Sequence, residues 1–304
     1  MMIVAAIGGN AVMERAGEAT VKHQVDNIQR AVGALVQLID MGHQLVITHG
    51  NGPQVGRLAQ QAAACREESN SPLDVLVAQT QGEIGYQMEL ALQNALGSRA
   101  KVATLLTQVE VSNNDLAFKS PTKPIGPFYD EAEADRIAAE NAWTFRSEDG
   151  KSRRVVASPL PMKILERDVI RTLIDNGVIV ICAGGGGIPV ERGPSGELTG
   201  VEAVIDKDWT SALLGEDLAA GFLLILTDVD AVYEQWGTSQ SRAIRRATPA
   251  EMRSRSYSEG SMGPKVAAAC HFVDASGGRA GIGKLEDAAR ILEGRAGTLI
   301  SPHG

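Results

Sequence analysis

Short aliphatic runs punctuate the chain: Ile3-Val4-Ala5-Ala6-Ile7, Leu45-Val46-Ile47, Val102-Ala103-Thr104-Leu105-Leu106, Val178-Ile179-Val180-Ile181 and Phe222-Leu223-Leu224-Ile225-Leu226. Their apolarity is continuous rather than alternating, which means cover on both faces, so they predict buried strands of a mainly parallel sheet. Between them the period lengthens. Val25, Ile28, Val32, Leu35, Val36 and Ile39 recur at helical spacing behind Thr20, a residue suited to cap a helix start. Further helices are predicted roughly over 82–96, 164–176, 208–219, 265–275 and 284–292. Strand and helix alternate, and the class is α/β.

Glycine is concentrated just after these strands, at Gly8-Gly9, at Gly50 with Gly52, and at Gly184 through Gly187. Permissive backbone at the carboxyl ends of parallel strands is where open α/β sheets receive ligands, so the site is expected along that edge. One segment breaks the rhythm. From about Ser112 to Pro161 the chain holds five of its twelve prolines, the charged stretch Asp130 to Arg136 and the polar stretch Glu148 to Arg154, with little periodic core. It reads as a small excursion from the main sheet, a lid rather than a separate domain.

Composition narrows the function class. The 304 residues are 44% hydrophobic and 22% charged, which excludes a disordered or fibrous chain. Net charge is −8 and no Lys/Arg run accumulates, which argues against sequence-independent nucleic-acid binding; a polyanion must meet a local cluster of positive groups. Cys65, Cys182 and Cys270 are odd in number and far apart, as expected of core thiols in a reducing compartment. The first basic side chain is Arg15, so the n-region of a secretory signal is missing. The uncharged stretch Val178 to Val190 contains four glycines and a proline and is too short to span a bilayer. A soluble cytoplasmic protein with no membrane contact is expected. The five histidines lack ligand spacing, and no metal site is expected among them.

Five segments carry candidate chemistry. Gly8-Gly9-Asn10 follows the first strand, where glycine lets backbone N–H groups approach an anion; a tight turn explains it equally. Gly50-Asn51-Gly52-Pro53-Gln54-Val55-Gly56 imitates a dinucleotide fingerprint but lacks the acidic residue about twenty positions on, so it is read as a phosphate or carboxylate seat. Lys207 and Lys265 stand at predicted helix starts, the latter behind Gly260-Ser261-Met262-Gly263-Pro264. A cation there opposes the helix dipole by roughly 0.3–1 kcal/mol. A bound polyphosphate would account for both, and a surface ion pair with Asp206 and Asp208 would account for Lys207 alone. Lys123 precedes Pro124, which holds it extended on a stiff strut; a solvated loop lysine is the plainer reading. Finally, Asp228 and Asp230 end the Phe222 run ahead of Tyr233, placed either to cap turns or to meet a nucleotide and the water shell of Mg²⁺. The P-loop, the G-x-S-x-G elbow, the H-E-x-x-H pair and the protein-kinase catalytic loop do not occur.

Together these segments resemble the carbamate kinases of the amino acid kinase family. The matching stretches run in order over nearly the whole chain: 7–11, 46–56, 82–86, 106–109, 122–129, 183–190, 200–208, 226–233 and 260–266. The lysine-proline strut and the string Gly200-Val201-Glu202-Ala203-Val204-Ile205-Asp206-Lys207-Asp208 are the most specific. The resemblance implies an open three-layer αβα sandwich around a mainly parallel sheet. It implies a single domain over 1–304, with an acceptor half at about 1–200 and a nucleotide half at about 201–304. The excursion, about 112–161, would be a protruding subdomain. It implies reversible phosphoryl transfer between ATP and carbamate with Mg²⁺, giving ADP and carbamoyl phosphate, by a homodimer acting on small molecules. In this likeness Lys123, Lys207, Asp208 and Lys265 are the catalytic charges, and Gly8, Gly9, Asn10, Gly50, Asn51 and Gly52 line the acceptor. Asp228, Asp230, Tyr233, Met262, Gly263 and Lys265 border the nucleotide. The chain departs from the family pattern at Ser112, Leu116 and Trp209. A kinase of another small carboxylate and a non-catalytic nucleotide-binding regulator share the same fold-level expectation.

Overall fold

In the computed structural model, which describes residues 1–9, 21–64, 71–148, 150–258 and 260–304, the opening strand Met2–Ile7 (β1) is buried on both faces, as its unbroken apolarity requires. Ile3, Ala5 and Ile7 point to one layer of core and Val4 and Ala6 to the other. The further strands of the main sheet are Gln44–His49 (β2), Lys101–Thr104 (β3), Val178–Ile181 (β4), Phe222–Thr227 (β5), Arg246–Ala247 (β6), Arg279–Lys284 (β7) and Thr298–Ile300 (β8). Their order is β6-β8-β7-β5-β1-β2-β4-β3, with every neighbouring pair parallel except β7 and β8.

The main helices are Val21–Asp40 (α1), Gly52–Ala64 (α2), Leu73–Leu96 (α3), Glu131–Asn141 (α4), Arg167–Asp175 (α5), Lys207–Asp217 (α6), Met262–Ser276 (α7) and Ala288–Leu292 (α8). One face of the sheet packs on α1 and α3 through Ile28, Val32, Leu35, Ile84, Met88 and Leu92. The opposite face packs on α5, α6 and α7 through Ile170, Ile174, Leu214, Val266, Phe272 and Val273. The result is the expected α/β class, an open three-layer αβα sandwich.

Several boundaries move, each for a physical reason. The third run stops at Thr104, and Leu106 is exposed beyond it. Helix α3 begins at Leu73, directly after Pro72, rather than at Gly82; its buried face includes Thr80 and Gln81, whose polarity hides the apolar period. Val25 is exposed on α1. The stretch 284–292 is not one helix: Lys284 ends β7, Leu285–Asp287 form a short 3₁₀ turn, and α8 follows. Strand β7 escapes an apolar reading because glycine is needed there: a Cβ at Gly281 would lie 2.4 Å from Ile291 Cγ2. Asn10, Thr20 and Cys65 lie outside the described residues.

Residues 123–156 build a separate antiparallel sheet, with Lys151–Val156 between Lys123–Tyr129 and Thr144–Glu148. A third core of Val55, Ala59, Leu73, Leu76, Ile125 and Val156 fastens it to α2 and α3. The fastening is close. A Cβ at Gly56 on α2 would come within 2.0 Å of Gly126 N, so two backbones touch where any side chain would part them. At its base Asp115 receives the amides of Ala117 at 2.8 Å and Leu160 at 3.0 Å, while Leu116 is exposed.

Gly56→Ala is therefore predicted to destabilise the protein by about 1–3 kcal/mol, the usual range for overpacking, in urea unfolding. Gly33→Ala, in α1 with nothing within 4 Å of its added methyl, serves as the control and should stabilise by about 0.5–1 kcal/mol, the usual gain of alanine over glycine inside a helix. An unchanged midpoint for Gly56→Ala would contradict the crossing.

Candidate active site

The first turn of α6 is the centre of the site. Asp206 caps it, its Oδ1 accepting the amide of Asp208 at 2.9 Å. Its other oxygen accepts a hydrogen bond from the Nζ of Lys123, which reaches across from the separate sheet. Asp208 divides its two oxygens between two ammonium groups. Oδ1 takes Lys207, and Oδ2 takes Lys265 of α7 at 2.9 Å. Lys207 is 8% exposed and Asp208 2%, so the surface ion pair admitted for Lys207 is not what forms.

Three ammonium groups meet two carboxylates here, and the hydrogen-bonded group of five keeps one positive charge. Burial works against Asp206, Asp208, Lys207 and Lys265, raising the carboxylates and lowering those two lysines. For Asp208 the two ammonium groups outweigh burial and hold its pKa well below the ordinary carboxylate range. For Asp206, Lys123 outweighs burial in the same direction. The two lysines on Asp208 diverge. Burial prevails at Lys207 and lowers its pKa, with Lys265 adding repulsion, whereas at Lys265 attraction to Asp208 overcomes burial and raises it.

Neighbouring strand ends hold this turn in place. Thr48 at the end of β2 hydrogen-bonds Ser211 at 2.7 Å, and Thr210 donates to the Gly186 carbonyl at 2.8 Å. The glycine run after β4 lies against the loop after β2. The His49 ring occupies the space a Cβ on Gly184 would need, 2.4 Å away, and the Asn51 amide does the same to Gly185. Asn51 donates to Thr80 Oγ1 at 2.9 Å, and Gln81 donates to the Gly184 carbonyl at 2.9 Å, which is why α3 buries two polar residues there.

The expected residues fall in two neighbouring groups. Lys207, Asp208 and Lys265 meet directly, and Lys123 joins them through Asp206. The Gly8 amide donates to the Leu226 carbonyl at 2.8 Å, the Gly50 amide donates to that of Ile7 at 2.9 Å, and a Cβ built on Gly9 would lie 3.9 Å from Gly50; Gly52 opens α2. Asp228 adjoins Thr227 at 3.0 Å and adds its charge to the field at Lys265. Tyr233 donates to Asp230 at 2.9 Å, and Met262 and Gly263 form the start of α7. Asp206 was seen in the sequence only as a neighbour of Lys207, yet it is the partner of Lys123. Gln54 was missed altogether; it is wholly buried in the first turn of α2, and neither amide atom has a hydrogen-bond partner among the described residues. Of the departures from the family pattern, Trp209 faces away onto core residues and His271, with ring centroids 5.4 Å apart.

Known proteins match this chain over nearly its whole length. The sequence pattern of the amino acid kinase family covers residues 1–283. The chain belongs to that family. Among amino acid kinases it is 48% identical to a carbamate kinase of Rhizobium meliloti (strain 1021), over 99% of this chain and 93% of the relative. A carbamate kinase from Giardia lamblia bound to citric acid superposes with a TM-score of 0.92 at 38% identity, covering 99% of this chain and 98% of that one. The same Giardia enzyme bound to AMP-PNP gives 0.89 at 39% identity, with the same coverage.

One histidine in this amino acid kinase fold makes a prediction. His49 is 1% exposed, its Nδ1 3.2 Å from the Gly50 carbonyl. Burial, helped by the charge of Lys207 and opposed by that carbonyl, lowers its pKa from 6.5 to about 4. Between those values the unfolded chain binds the proton and the folded chain does not, so stability rises with pH. Acidification from pH 7 to 5 is predicted to cost about 2 kcal/mol at this residue, measured by chemical unfolding. His49→Gln should flatten the slope, and an identical slope in that variant would refute the assignment.

Proposed function

We propose that this amino acid kinase catalyses reversible phosphoryl transfer between ATP and carbamate, giving ADP and carbamoyl phosphate. The observation that carries the reading is Asp208 holding Lys207 and Lys265 side by side, in a hydrogen-bonded group with one positive charge to spare. Such a group suits the spread charge of a migrating phosphoryl, which needs alignment and neutralisation more than covalent chemistry. Carbamate already presents an anionic oxygen at neutral pH, so no general base is required of the protein. The buried, neutral His49 is not asked to serve as one.

In this reading Lys207 and Lys265 hold phosphoryl oxygens, Asp208 orients them, and Lys123 closes over the site from the separate sheet. Gly8, Gly9, Asn10, Gly50, Asn51 and Gly52 line the acceptor side; the amides of Gly8 and Gly50 are given to Leu226 and Ile7, so any backbone N–H groups for the anion would come from the positions beside them. The amide of Gln54, without a hydrogen-bond partner among the described residues, offers the donor and acceptor that a carbamate's oxygen and amino group ask for. ATP or ADP lies along the start of α7, between Met262, Gly263 and Lys265 on one side and Asp228, Asp230 and Tyr233 on the other.

Mg²⁺ would arrive on the nucleotide phosphates. The hard carboxylate oxygens of Asp228 and Asp230 fit an ion that keeps most of its waters, and it would supply charge neutralisation. The halves at about 1–200 and 201–304 then serve acceptor and nucleotide, and the residues at about 112–161 form the protruding subdomain that carries Lys123. No helix among the described residues is long and apolar enough to cross a membrane, and the proposed setting is the cytoplasm. A homodimer would cover the exposed Val75, Tyr86 and Leu90 along α3.

Purified protein should form ATP from ADP and carbamoyl phosphate. Lys207→Met and Lys265→Met should each lower turnover by about 10²–10³. Phosphorylation of glutamate, aspartate or acetylglutamate in place of carbamate would overturn the acceptor, and near-normal turnover in both lysine variants would overturn the mechanism.

A further inference from the structure

Away from the lysine group, between the separate sheet and the start of α3, lies a cavity of about 440 Å³. Its apolar walls include Leu73, Leu76 and Phe118, and it contains Trp143, Arg154 and Glu202. Arg154 is 8% exposed, and its guanidinium carbon sits 3.6 Å above the centroid of the Trp143 ring. Its Nε has no hydrogen-bond partner among the described residues. Its Nη2 stands 3.6 Å from Glu202 Oε1, beyond hydrogen-bond reach. Glu202 is already engaged, because its other oxygen accepts the Leu73 amide at 2.8 Å.

A buried guanidinium normally finds a carboxylate for the parallel pair of N–H groups along one edge. Here that edge is oriented by stacking and its fork is not filled: Nε has no hydrogen-bond partner among the described residues, and Nη2 has the 3.6 Å ion pair with Glu202. Burial lowers the pKa of Arg154 to about 10, with Glu202 and Tyr129 pulling it back, as expected of a cation whose desolvation is incompletely compensated. A phosphate dianion would set two more negative charges beside Glu202, whereas one carboxylate matches one incompletely filled fork, and the walls ask for an apolar body behind it.

We propose that this cavity is a second binding site, for a small monocarboxylate with an apolar body, whose carboxylate pairs with the Nε and Nη2 edge of Arg154. The site shares no residue with the lysine group and does not rest on the reaction proposed above. It has a route to it nonetheless. Val156 in its wall is the strand partner of Lys123, so an occupant braces the strand carrying Lys123 against α3.

The test is calorimetric titration of the full-length protein with benzoate, in saturating ADP, beside its uncharged isostere benzamide. Benzoate is expected to bind one to one, and benzamide at least about tenfold more weakly. Arg154→Lys keeps the charge but loses the fork, and should weaken benzoate by about tenfold. Glu202→Gln removes the competing charge and should tighten it severalfold, a gain that misfolding cannot imitate. Equal binding of the two probes, no binding at millimolar benzoate, or an affinity unmoved by Glu202→Gln would overturn the proposal.

Discussion

A carboxylate shared between two ammonium groups is the constraint from which the rest of this molecule follows. Asp208 is almost without solvent, and Lys207 nearly so. Breaking such a buried pair by removing one partner typically costs about 3–5 kcal/mol, because the other charge is left uncompensated. The cluster therefore exists only where helix α6 begins on its cap, Asp206, and where α7 delivers Lys265 to the same carboxylate. Strand ends, glycine turns and helix starts are arranged around that requirement.

The arrangement needs backbones that approach closely and hydrogen bonds that hold the helix start to its neighbours. Glycines 184 and 185 leave room for His49 and Asn51. Thr48, Thr210 and Ser211 then tie α6 to β2 and to the glycine run, so water is replaced by fixed dipoles instead of by voids. A second close approach, Gly56 on Gly126, seats the separate sheet on α2 and brings Lys123 to Asp206. The positive field is thus assembled from three elements far apart in sequence, inside a chain whose net charge is negative.

Much of this was legible because burial on both faces leaves a plain mark: each of the five predicted strands is found, from β1 to β5. What was illegible shares a cause. The start of α3 was hidden by Thr80 and Gln81, which face the glycine turn, and β7 by Gly281 and Gly283, which make room for Ile291. In both places a demand other than apolar burial overrode the period. At the site, Lys207 and Lys265 announced themselves as cations at the wrong end of a helix dipole. The pairing of Lys123 with Asp206 spans 83 positions, and no local pattern encodes it. Gln54 looked like an ordinary polar residue of a helix start, and only its complete burial without a partner among the described residues marks it.

The most direct measurement is a crystal structure with ADP and aluminium fluoride, a planar stand-in for the phosphoryl in flight. The account predicts the Nζ atoms of Lys207 and Lys265 both at hydrogen-bond distance from fluoride, with Asp208 still touching each. Amines turned toward solvent, or a fluoride group seated away from the start of α6, would contradict it.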